Sequence, residues 1–183
     1  MKSGGKALLQ ELREDHRNMA NILEMLDELV HQVEAGDDPD FGLLGEIMRY
    51  MIVYPDAIHH PKEDLMYSRL RERRPDLAEG LEDVEADHLA IAELGTRLRD
   101  DVEAVNAGTA VRRGTIIADA DKYALRLRSH MQWEEQDLFR RIDTMLDEEP
   151  QEFDVSKYAH TKDPVFGLEV DPGFSRLLPE RRD

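Results

Sequence analysis

Leu9, Leu12, His16, Met19, Leu23, Leu26, Val30 and Val33 follow one another at alternating steps of three and four residues. That spacing draws one stripe along an α-helix and alternates faces on a strand, so it fixes the segment as helix. The stripe is apolar except for one histidine. It stops at Gly36-Asp37-Asp38-Pro39, a helix end and turn. A second segment, about residues 41–73, buries Met48, Ile52, His59, Glu63, Met66 and Leu70, with a kink or restart expected near Pro55 because Pro55 and Pro61 each delete a backbone donor. A third, about residues 75–106, carries Leu77, Leu81, Val84, His88, Ile91, Leu98, Val102 and Val105; Pro75 suits its first turn and Asn106-Ala107-Gly108 its stop. A fourth, about residues 109–146, carries Ile116, Ala120, Tyr123, Leu127, His130, Glu134, Leu138, Ile142 and Met145.

Four amphipathic helices of roughly 30 residues, each about 45 Å long, with short connections, predict an all-α, up-down-up-down four-helix bundle. The pattern fails near Asp147, where Pro150, Pro164, Gly167, Pro172, Gly173 and Pro179 forbid a long helix. We therefore expect a bundle over residues 1–147 and an extended, largely non-helical C-terminal tail over 148–183, pinned in places by Phe153, Tyr158, Phe166 and Phe174. At 183 residues the chain suits one core rather than two domains.

Composition narrows the chemistry. There is no cysteine, so disulfides, thiolate nucleophiles and Cys-ligated zinc or iron-sulfur sites are excluded, and any metal must sit on nitrogen and oxygen. A formal charge of -17 repels phosphate backbones and anionic lipid heads, which argues against nucleic-acid and membrane partners. The one basic run, residues 69–74, reads as a helix-end cluster. No stretch approaches the roughly 20 apolar residues of a spanning helix, and residues 1–14 do not resemble a signal peptide, so the cytoplasm is the expected address.

His16, His59, Glu63, His88, His130 and Glu134 all stand where the pattern calls for an apolar side chain. A buried polar group without a partner costs on the order of 1 to 3 kcal/mol, and a bare carboxylate far more, against a net domain stability of about 5 to 15 kcal/mol. A metal centre satisfies such a set collectively: neutral imidazole and carboxylate suit iron, manganese or zinc, and the cation offsets the two glutamates. His59 and Glu63 are four apart, as are His130 and Glu134, so each pair stacks on one helix face. Four imidazoles and two carboxylates exceed the needs of one tetrahedral ion and fit two ions bridged by both acids.

In this order the pieces Glu14-Asp15-His16, His59-His60-Pro61-Lys62-Glu63-Asp64, Asp87-His88 and His130-Met131-Gln132-Trp133-Glu134-Glu135 resemble the hemerythrin-like family, over roughly residues 8–146. The resemblance implies an oxo- or hydroxo-bridged non-haem diiron centre, with His16, His59, His88 and His130 as terminal ligands and Glu63 and Glu134 as bridges. Zinc or manganese are the possible substitutes. Oxygen-carrying members place two histidines four apart on the third helix, whereas Val84 and Ala92 flank His88 here, so the pattern is closer to relatives linked to iron handling, nitric oxide or stress responses.

Several neighbours compete for roles. His60 and Asp64 form an alternative pair one step around the helix, expected at the surface or supporting a ligand; Glu135 rivals Glu134; Asp87 reads as a solvated acid, with a hydrogen bond to a ligand or water as the alternative; and His31 and His160 read as surface residues. Glu85 and His88 give one ferritin-like ExxH spacing, but Leu127 stands where the second would need a glutamate. Trp133, Tyr54, Tyr67 and Tyr123 read as core or as lining for a route to the metals. The expected function is binding of, or reaction with, a small molecule such as dioxygen or nitric oxide, in sensing, stress response or iron handling. No catalytic side chain stands out. The alternatives are a regulatory module in which metal is structural, and a dinuclear zinc or manganese hydrolase.

Overall fold

A computed structural model describes residues 2–156, 163–167 and 169–178. After a short strand β1 (Lys2–Gly4) come α1 (Gly5–Ala35), α2 (Phe41–Tyr54), a π-helical turn (Pro55–His59), α3 (His60–Arg73), a 3-10 turn (Pro75–Leu77), α4 (Leu81–Asn106) and α5 (Arg113–Trp133). A second π turn (Glu134–Leu138), α6 (Phe139–Glu148), strand β2 (Glu152–Asp154) and a 3-10 segment (Pro172–Leu177) complete the order. The two π turns join α2 to α3 and α5 to α6 without a break, leaving four long helical segments in an all-α bundle. Among the described residues no helix is long and apolar enough to cross a membrane.

Local chemistry sets the boundaries. Gly36 ends α1 at φ 85°, and its N–H donates back to the Gln32 and Val33 carbonyls, a left-handed cap that glycine adopts without strain. The third segment starts later than the periodicity predicts. Pro75 opens only a 3-10 turn, and Gly80, at φ 84°, redirects the chain so that α4 begins at Leu81. The fourth likewise starts at Arg113 rather than near Thr109.

The expected kink at Pro55 is instead a wide turn. Proline cannot donate to the Met51 carbonyl four residues back, and Tyr123 Oη donates to that carbonyl at 3.4 Å. The helix then widens until the His60 N–H reaches the Pro55 carbonyl, an i to i+5 bond. Gly95 on α4 makes room for this arrangement: a Cβ there would lie 3.0 Å from the Tyr123 ring.

The core is in two parts. One apolar cluster fills the bundle where α2, α4, α5 and the C-terminal half of α1 meet, with Leu23, Leu44, Ile47 and Leu98 at its heart. The other lies between the start of α1, α3, the start of α4 and α6, around Leu8, Leu12, Leu70 and Ile142. Along each segment the polar stripe residues fall between the two clusters, with Leu12 and Met19 flanking His16, and Val84 and Ile91 flanking His88. The bundle is therefore crossed by one polar layer.

The tail is mostly non-helical. β2 pairs antiparallel with β1, Ser3 opposite Phe153. Phe153 packs into the cluster around Leu8 and Ile142, Val165, Phe174 and Leu177 join α2 in the cluster around Leu44 and Leu98, and Phe166 packs beside them. Tyr158 and His160 lie outside the described residues.

Candidate metal centre

Each of the four segments delivers side chains to the polar layer. His16 comes from α1; His59 closes the first π turn and Glu63 follows on α3; His88 comes from α4; His130 ends α5 and Glu134 opens the second π turn. Glu63 and Glu134 are 0% exposed, and His16, His59 and His130 are buried with them. A carboxylate in such a dry place must be met by positive charge.

The inward atoms converge. Glu63 Oε1 is 3.0 Å from His59 Nε2 and 3.5 Å from His16 Nε2, while its Oε2 turns to His88 Nε2 at 3.7 Å. Glu134 Oε2 lies 3.2 Å from His130 Nε2 and 3.4 Å from His16 Nε2. His88 and His130 bring their Nε2 atoms within 3.0 Å of each other. Both acids thus reach from a His16 side to a His88 and His130 side. Despite these approaches, His16 Nε2, His59 Nε2, both oxygens of Glu63 and Glu134 Oε2 make no hydrogen bond. Buried polar atoms that crowd together without bonding one another have the geometry of ligands around a shared ion. The donor atoms form overlapping sets within 4.8 Å: His16, His59 and Glu63; Glu63, His88 and Glu134; and His60, His88 and His130.

A family model described as the hemerythrin HHE cation binding domain matches residues 7–142. The chain belongs to the hemerythrin HHE family. No curated protein and no solved structure gave a significant match. An HHE domain is a cation-binding domain, and the His/Glu cluster is the candidate site for its metal.

The HHE cluster has an outer layer of acids. His16 Nδ1 lies 3.1 Å from Glu135, His59 Nδ1 3.2 Å from Asp15, and His130 Nδ1 2.8 Å from Asp87. A carboxylate only accepts, so each Nδ1 carries a proton, and it is Nε2 that would present a lone pair inward once its own proton is given up to a cation. The acids are themselves held: Asp15 accepts from Tyr54 Oη at 2.8 Å, Glu135 pairs with Arg13, and Asp87 pairs with Arg126. Tyr67 Oη donates to the remaining oxygen of Glu134 at 2.6 Å.

Electrostatics show what the layer needs. Burial opposes a proton on His16, yet Glu134, Glu135 and Glu63 outweigh it and lift that group to about 11. Burial likewise opposes a proton on His59, and Glu63 and Asp15 still lift it to about 9. For Glu63 burial favours the neutral acid, but His59 and His16 hold it well below the usual carboxylate range. His88 is pushed down to about 3, first by burial and then by His60 and His130 beside it, so it stays a neutral donor. Glu63, held as a buried anion, therefore draws positive charge into the layer, as imidazolium protons or as a cation that replaces them.

The structure brings together all six residues singled out by the sequence, and it sorts the rivals. Glu135 meets the outer nitrogen of His16, and Asp64 is exposed. Asp87 takes the alternative expected of it, a hydrogen bond to His130, and is not a solvated acid, while His31 and Glu85 are exposed. Tyr54 and Tyr67 brace the acids of the HHE site, whereas Tyr123 belongs to the core. His60, expected at the surface or in support, is 8% exposed and faces the cluster. The basic run at residues 69–74 is consumed locally: Arg71 donates to the Leu81 carbonyl, Arg74 pairs with Asp76 and Glu148, and Arg69 bonds Gln151.

Proposed function

We propose that the bundle of residues 1–147 holds two iron ions. His16, His59, His88 and His130 are their terminal ligands, and Glu63 and Glu134 bridge them. The pair binds or reacts with a small molecule such as dioxygen or nitric oxide, in sensing, stress response or iron handling. The observation that carries the reading is the dry pair of glutamates whose inward oxygens face imidazole Nε2 atoms on both sides without hydrogen-bonding them. When bound, such a pair of ions would supply redox chemistry and an open coordination position.

The chain's own groups do the rest. Asp15, Glu135 and Asp87 hold the imidazole protons on Nδ1 and keep each Nε2 basic. Tyr67 fixes the orientation of Glu134 by donating to its outer oxygen. A surface pocket between α4 and α5 touches the cluster at His130, and beside Asp87, Lys122, Arg126 and Ser129 its wall carries Leu94, Leu125 and Trp133, apolar surface that suits a small uncharged visitor.

Metal analysis and spectra of protein prepared without oxygen test the reading. About two irons per chain, with an oxo-bridge absorption that changes on adding azide, dioxygen or nitric oxide, is the expected result. One zinc per chain with no such absorption overturns it.

A further inference from the structure

His60 carries the marks of a ligand rather than of a packing residue. His16, His59 and His130 each set Nδ1 against a carboxylate and aim Nε2 inward. His60 shares the first half of that arrangement, its Nδ1 lying 3.4 Å from Oδ1 of the half-exposed Asp56. Its ring lies over His88 at 3.8 Å between centroids and 16° between planes, and its donor atom falls within 4.8 Å of those of His88 and His130.

Both histidines have helical backbone, so their side chains leave the helix about 100° apart. His59 turns to Glu63 and His60 turns to His88 on α4, and both are buried. Asp56, on the same turn, stands where it can clamp His60.

We propose that His60 is a fifth imidazole ligand, on the same ion as His88 and His130. The two ions are then held unequally: His16 and His59 on one, three histidines on the other, with Glu63 and Glu134 between them. This inference rests on the two-iron reading above and adds a ligand to it.

The test is an anaerobic ferrous titration against a competing chelator, with Mössbauer spectra of iron-57-loaded protein, on the full chain, on H60Q and on H31Q as an exposed control. The unsubstituted chain and H31Q should take up two irons with two distinct ferrous doublets. H60Q should keep one iron and bind the other at least tenfold more weakly, with one doublet altered and the other unchanged. If H60Q binds both irons as tightly and gives the same doublets, His60 is a packing residue and the proposal fails. The unsubstituted chain reads the same question without any variant, since two indistinguishable ferrous doublets would also overturn the inequality. If the unsubstituted chain takes up no iron pair, the two-iron reading falls, and this inference with it.

Discussion

Asp15 joins two roles in one side chain, accepting from Tyr54 Oη with one oxygen and facing His59 Nδ1 with the other. Asp15→Asn keeps the shape and removes the charge that fixes the His59 tautomer. We expect it to weaken metal binding by about 10- to 100-fold while the helical signal is retained, measured by competition with a chelator. The imidazoles also set a pH dependence. His16 and His59 have folded values of about 11 and about 9, above the ordinary 6.5. In protein stripped by chelation, their contribution is fully present below pH 6.5 and is lost as pH rises through about 9 and then 11. Thermal melts of stripped protein should therefore fall on the alkaline side, whereas iron-loaded protein, with metal in place of those protons, should not show that fall.

At the scale of elements, the apolar stripes and their six polar interruptions are legible because a regular helix turns 100° per residue, and spacing alone then reports the face. The same rule hides His60. Its phase puts it off the stripe, and it is buried all the same because His88 on α4 stacks over its ring. Pro55 signals a disturbance there without saying that the helix continues, and no proline marks the turn at Glu134–Leu138. The late start of α4 turns on Gly80 and its left-handed backbone, which spacing does not register. The Tyr123 hydroxyl is the partner for the carbonyl that Pro55 orphans. Tyr123→Phe should cost about 1 kcal/mol in urea unfolding, since it leaves a buried carbonyl unmet while keeping the ring beside Gly95. A loss near zero would show that the carbonyl is satisfied in some other way.

At the scale of the molecule, the described residues of the tail include a group packed against the bundle. Tyr50 Oη donates to Asp163 at 2.9 Å, Arg49 lies over the Phe174 ring, and Val165, Phe174 and Leu177 are buried. Burying such side chains is worth about 1.5 to 3 kcal/mol each. Ending the chain after Ser156 should lower unfolding free energy by about 3 to 6 kcal/mol yet leave the iron stoichiometry unchanged, because none of the described tail residues reaches the ligand cluster. Loss of iron on truncation, with the fold intact by circular dichroism, would instead tie the tail to the site. The sequence marks the tail as non-helical through its prolines and glycines, but it gives no periodic signal for where each aromatic lands.

The ladder between Lys2–Gly4 and Glu152–Asp154 has a mechanical consequence. Gly5 bonds the Gln151 carbonyl, and its missing side chain leaves room for Leu146 and Phe153. The first turn of one helix and the exit from the last are thereby zipped into a single seam, so neither can peel open alone, and breathing at that pole of the bundle must release both at once.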